Sequence, residues 1–186
     1  MHWIDPDSLP ETCGTVRRFL LNPHGELDGF VLGSRQLRQV HFPPHLSQQV
    51  ARLVAVGDEV RIRGVKPRGA DMIAAVSITT KTGKAILDEG PHGTGGHRPR
   101  RGGEPGPMQA SGEVLLSLFG PKGELRGALV DDGTSLRMAP HAAAELASYL
   151  APGFHVQAWG HGIRNRHGRT IDVDEIAALI DVPSAV

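Results

Sequence analysis

Cysteine is almost absent from this chain. Cys13 is the only one, which excludes an intrachain disulfide and any zinc site closed by several thiolates. A reducing, cytoplasmic compartment is the expectation. Aromatic residues are few: five Phe, two Trp and one Tyr in 186 residues, a thin supply for a protein that stacks many bases. No sign of charge dominates. Twenty Lys and Arg balance twenty Asp and Glu, so there is no whole-chain basic field of the kind that marks many nucleic-acid binders. No run approaches the roughly 18–20 apolar residues that a membrane-spanning helix needs. The opening Met1-His2-Trp3-Ile4-Asp5-Pro6 has neither a basic nor an apolar leader region, so neither a membrane nor a secretory route is expected.

Catalytic signatures are missing as well. There is no G-x-S-x-G, no G-x-x-x-x-G-K-[ST], no G-x-G-x-x-G after a strand and no H-E-x-x-H, so the expectation is a non-enzyme without a cofactor. Ten histidines are scattered along the chain. His41 and His45 have i, i+4 spacing, but Pro43 and Pro44 stand between them and no carboxylate completes a metal-ligand set. No metal is expected.

What the chain has is punctuation and repetition. Twenty-four Gly and fourteen Pro make up about a fifth of it, against an average near 12%. That implies many turns and short strands. Residues 14–32, GTVRRFLLNPHGELDGFVL, recur at 112–130 as GEVLLSLFGPKGELRGALV, with Gly14/Gly112, Leu20/Leu118, Pro23/Pro121, Gly25/Gly123 and Gly29/Gly127 in register. The register then contracts by two, matching Pro44/Pro140, His45/His141, Gly57/Gly153 and Gly64/Gly160, and expands again to match Ile73/Ile171. Both shifts fall where turns belong. The chain is therefore two copies of one unit, placed at 11–88 and 112–182. Residues 89–111 between them are dominated by Gly and Pro, with Arg98, Arg100 and Arg101, and read as a flexible linker.

Each unit reads as strand, strand, strand, helix, strand, strand. Asn22-Pro23-His24-Gly25 turns the first hairpin. Gly29 and Gly127, in mid-strand, suggest a bulge or strong bend. Pro43-Pro44 opens a helix whose Leu46, Val50, Leu53 and Val54 keep helical spacing until Gly57 stops it. Glu59–Gly64 alternates as the fourth strand, and Met72–Ile78 forms the fifth. The expected fold is all-β: two five-stranded barrels in tandem, each with one short helix between strands three and four. The phrase G-x-V-x(6)-P-x-G-E-L-x-G, followed by a Pro-led helix and G-x-x-V-x-x-x-G, resembles bacterial tandem OB-fold proteins of the nucleic-acid-binding-domain type, a family without an assigned activity. The resemblance covers about three quarters of the chain and implies an OB fold.

An OB barrel holds a single strand on its second and third strands, flanked by the loops joining strands one–two and four–five. Period-two counting places Val16, Leu20, Leu27 and Val31 inward. It places Arg17, Phe19, Phe30 and His41 outward, with Lys66 and Arg68 in the adjoining loop. Cations interleaved with aromatic rings suit a single-strand groove, since charge tracks phosphate and rings stack bases. A solvated sheet face is the alternative, and a slip of one residue would put Phe19 and Phe30 in the core. The second unit has Ser117, Ala128 and Arg137 where the first has Phe19, Phe30 and His41, but its four–five loop carries Arg164 and Arg166. Residues 14–80 hold nine basic and five acidic residues, and residues 112–177 hold six and eight. The expected function is binding of single-stranded DNA or RNA, led by the first barrel. The alternative is an adaptor whose barrels dock a protein partner.

Overall fold

The computed structural model describes residues 8–33, 36–88 and 104–179. The first unit contains β1 (Glu11–Leu21), β2 (Leu27–Gly33), β3 (Leu37–His41), α1 (Ser47–Leu53), β4 (Glu59–Val65) and β5 (Met72–Thr79). These strands run in the order β3-β2-β1-β4-β5, and parallel pairing of β3 with β5 closes the ring. A short β6 (Ala85–Leu87) extends the sheet beyond β5. The second unit repeats the plan with β7 (Gly106–Phe119), β8 (Leu125–Val130), β9 (Thr134–Arg137), α2 (Pro140–Glu145), β10 (His155–Asn165) and β11 (Gly168–Ala178). Its ring is closed by β9 against β11. Two five-stranded barrels, each with a short helix between the third and fourth strands, are the expected architecture.

The local chemistry follows the turns. Asn22 Oδ1 accepts from the backbone N–H groups of His24 and Glu26, both at 3.0 Å, and locks the β1–β2 hairpin. In the second unit Glu124 accepts from the Lys122 N–H at 3.0 Å and plays the same part. Gly29 and Gly127 are needed for close approach: a Cβ on either would overlap the carbonyl oxygen of Val40 or Leu136 on the neighbouring strand. Helix α1 buries Val50 under the first barrel, and α2 buries Ala143 under the second.

Bulges set the register. Arg17 is an extra residue on β1 between the pairs Val16–Leu32 and Arg18–Val31. Asp28 is an extra residue on β2 between Gly29 and Leu27. Each inverts the alternation that follows it. The first core accordingly holds Val16, Phe19, Leu21, Leu27, Phe30, Leu32, Val40 and Phe42. This corrects the outward placement of Phe19 and Phe30 and the inward placement of Leu20 and Val31. The second core, around Val114, Ala128, Val130, Leu136, Val156 and Ile171, uses smaller side chains.

The expected linker ends earlier than its composition implies. Strand β7 starts at Gly106 and pairs with β10 along its whole first half. Residues 106–111 are therefore strand, held by the backbone ladder that the long β10 offers. Residues 89–103, with Arg98, Arg100 and Arg101, lie outside the described residues.

Candidate nucleic-acid interface

Leu20 and Val31 point out of the first barrel, and Leu118 and Leu129 point out of the second. The four form one buried cluster, flanked by Leu115 and Leu116. Each is the repeat equivalent of a residue on the other side, so the barrels meet face to face in an approximate two-fold arrangement. The flanking loops obey the same reciprocity. Asn165 on the β10–β11 hairpin donates to the Gly25 carbonyl in the first hairpin turn at 2.9 Å. Its counterpart Pro67, in the β4–β5 loop, lies against Gly123 in the second.

Polar groups fill the rest of the seam. Arg137 pairs with Asp28 at 2.8 Å, with the two side chains only 6% and 10% exposed. The same guanidinium donates from Nε to the Leu21 carbonyl at 3.0 Å. Gln39 clamps Phe119 twice, donating to its carbonyl at 2.9 Å and accepting from its N–H at 2.8 Å. His41 is enclosed beside this network, and its Nδ1 has no hydrogen-bond partner among the described residues. Burial holds its pKa below the ordinary imidazole value, with Arg137 and Arg126 adding to the fall and Asp28 and Glu124 opposing it.

The face that OB barrels offer to ligands is the β2–β3 face with its two flanking loops. Here each barrel presents that face to the other. His41, expected on an open groove, is shut inside the seam. Phe19 is 9% exposed and Phe30 is fully buried, its ring 5.9 Å from Phe42. Neither presents a ring face for stacking. The predicted aromatic platform is absent because bulges turned its residues inward.

The predicted cations fare differently. Arg17, Lys66, Arg68, Arg164 and Arg166 are all exposed. Lys66 and Arg68 flank Pro67 at one end of the seam. Arg164 and Arg166 flank Asn165 at the other, and there the second barrel's hairpin meets β1 of the first. The His167 ring stands edge-on to Phe19 at 5.3 Å between centroids. Arg166 Nε donates to His167 Nε2 at 3.1 Å. Burial lowers the His167 pKa and the Arg166 charge lowers it further. Around this contact Arg17, Arg18, Phe19, Val56, Asp132, Gly133, His167, Gly168 and Arg169 line a cleft of about 240 Å³. Arg18 was not singled out in the sequence, and His167 and Arg169 only as members of the arginine-rich loop that carries Arg164 and Arg166. Their signal was adjacency to Arg17 and Arg166, but nothing in one dimension brings residue 17 to residue 167.

A larger cleft, about 390 Å³, lies where the starts of β1 and β4 meet the end of β5, between Cys13, Glu59, Arg61, Thr79 and Lys81. No group of three or more potential metal ligands occurs among the described residues. Among those residues no helix is long and apolar enough to cross a membrane.

No family model and no curated protein matches the chain. Among solved structures, the wild-type single-stranded DNA binding protein from Thermus aquaticus aligns over 95% of this chain and 94% of its own, at 14% identity and a TM-score of 0.31. A deletion mutant of that protein aligns over 94% and 95%, at 15% identity and a TM-score of 0.29. The OB-type fold is established by the two rings of strands, to which these alignments add nothing.

Proposed function

We propose that the chain binds single-stranded nucleic acid, DNA or RNA, without catalysing a reaction, and that the strand follows the outer rim of the seam rather than the face of one barrel. The carrying observation is that exposed cations stand near both ends of the seam: Arg17 by the β10–β11 hairpin that bears Arg164 and Arg166, and Lys66 and Arg68 on either side of Pro67. The first barrel leads through its basic balance, and the second contributes its arginine hairpin. With Phe19 and Phe30 buried, ring stacking contributes little. Binding is then mainly contact with phosphate, weakly selective for base and strongly dependent on salt.

The test is a fluorescence-anisotropy titration with labelled oligodeoxythymidine, its RNA counterpart and a duplex, at several salt concentrations. Arg164→Glu with Arg166→Glu should weaken single-strand binding and flatten the log–log salt slope by about 1.4, at about 0.7 for each phosphate no longer neutralised. Weaker binding with an unchanged slope would refute phosphate contact at these residues. A second reading, a protein-docking adaptor, is favoured by the mutual masking of the two ligand faces. It takes over if no strand binds even well below physiological salt.

A further inference from the structure

The two-fold arrangement of the seam is close enough to compare its ends, and they are chemically unlike. At the end near the β10–β11 hairpin stand Arg17, Arg18, His167 and Arg169. The repeat equivalents of these residues at the other end are Leu115, Leu116, Gly69 and Asp71. The leucines simply extend the apolar cluster of the seam. Docking of the barrels therefore does not require cations at these strand positions, one of which is the bulge residue in both copies.

The cationic end is also short of counter-charge. Three guanidinium groups and one carboxylate line the cleft. That carboxylate, Asp132, is already engaged by Arg169 and by the Thr134 N–H. The side chain of neighbouring Asp131 is directed at Gly112 instead. Among the described residues Arg18 reaches only the Asp131 backbone carbonyl, at a long 3.5 Å. Arg17 lies over Gly33 and has no ion-pair partner among the described residues. His167 accepts from Arg166 at Nε2, which in the neutral ring leaves Nδ1 as a donor. The concavity thus has guanidinium forks and a ring N–H, and too little negative charge of its own.

We propose that this cleft is a phosphate-binding site, in which Arg17, Arg18, Arg169 and His167, brought together from both barrels, take one phosphate or pyrophosphate group. Guanidinium groups bind such oxyanions through paired, charge-assisted hydrogen bonds. The group is either a small free anion or the terminal phosphate of a strand. The site stands whether or not the chain binds nucleic acid along the seam.

Inorganic pyrophosphate is the probe. The full chain is melted with increasing pyrophosphate and, in parallel, with sodium chloride at matched ionic strength, while the His167 Cε1–H resonance is followed by NMR. A saturable rise in Tm with pyrophosphate alone is expected, together with movement of the His167 resonance. R17L/R18L installs the residues that the second barrel carries at the same positions. It should fold and bind pyrophosphate about a hundredfold more weakly, since two of the guanidinium groups are gone. Lys84→Ala, remote from the cleft, should change nothing. Equal shifts in pyrophosphate and chloride, an unmoved His167 resonance, or an unaltered R17L/R18L response would each overturn the site. Competition by a 5′-phosphorylated oligonucleotide but not its unphosphorylated twin assigns the site to strand ends, and competition by neither assigns it to a free anion. Pyrophosphate binding without strand binding sinks only the single-strand reading; the reverse sinks only this site.

Discussion

Arg137→Met tests the seam at its most buried polar contact. In the native chain the guanidinium pairs with Asp28 and also donates to the Leu21 carbonyl. Methionine fills much of the volume but donates nothing. Asp28 is then a carboxylate about nine-tenths buried, with neutral His41 beside it and no cation in contact. Removing one partner of such a pair costs about 3–5 kcal/mol, most of it the desolvation of the charge left behind. For a chain of this size about 2–4 °C of Tm accompanies each kcal/mol, so a fall of about 6–20 °C is expected. The assay is urea unfolding at neutral pH, with thermal melts in support. Asp28→Leu combined with Arg137→Met removes both charges and should recover most of the loss. Because the pair is screened by protein rather than solvent, the loss should be nearly independent of salt. A loss below about 1 kcal/mol for the single variant, or a double variant no better than the single, would refute the reading that this contact is desolvated and central to docking.

Four further outcomes are expected. Phe30→Ala should cost about 3–5 kcal/mol of stability in urea unfolding, as a large fully buried ring; a stable protein with weakened strand binding would restore Phe30 to an open face. Gly127→Ala should cost about 1–3 kcal/mol or more, because its new methyl group meets a backbone carbonyl rather than a movable side chain. His41 is held neutral in the folded chain, so below its ordinary pKa of 6.5 the unfolded chain takes up a proton that the folded one refuses, and stability falls as pH drops. His41→Gln should reduce that fall between pH ~7.5 and ~5.5, seen in urea midpoints. Finally, a protease site placed within residues 89–103 should yield two fragments that co-elute on gel filtration after cleavage, held by the seam; separate elution would mean that the linker alone joins the barrels.

Much of the fold was legible because the same pattern occurs twice. A turn read from Pro23 and Gly25 gains weight when Pro121 and Gly123 repeat it; Gly57 and Gly153 also match, but they close the turns beyond the helices, which end earlier, α1 at Leu53 and α2 at Glu145. Register was not legible. Period-two counting works only along an unbroken ladder, and the bulges at Arg17 and Asp28 each break it. Gly29 signalled that a bulge was near, but not which strand held the extra residue. The start of β7 was hidden for another reason. Gly106-Pro107-Met108-Gln109 has poor strand propensity, and only pairing with β10 makes it a strand. In the candidate site, the exposed cations were legible as residues but not as a cluster. Counting charge barrel by barrel separated Arg17 from Arg169, which the seam places at one cleft.

The duplication explains why the cluster lies where it does. A duplicated surface that docks on its own copy must keep its centre self-complementary. Leu20 and Val31 therefore have to suit Leu118 and Leu129, and a change in one must be tolerated by its equivalent across the axis. Positions near the two ends are freer, because each contacts a loop rather than its own counterpart. There the copies differ in charge: Arg17 and Arg18 against Leu115 and Leu116, Arg169 against Asp71. Mutual docking also removes the β2–β3 faces from use. The end of the rim where three guanidinium groups share a single carboxylate is the place where an anion gains most from binding. There, anion binding is separated from the packing that holds the barrels together, so R17L/R18L should weaken the one while sparing the other.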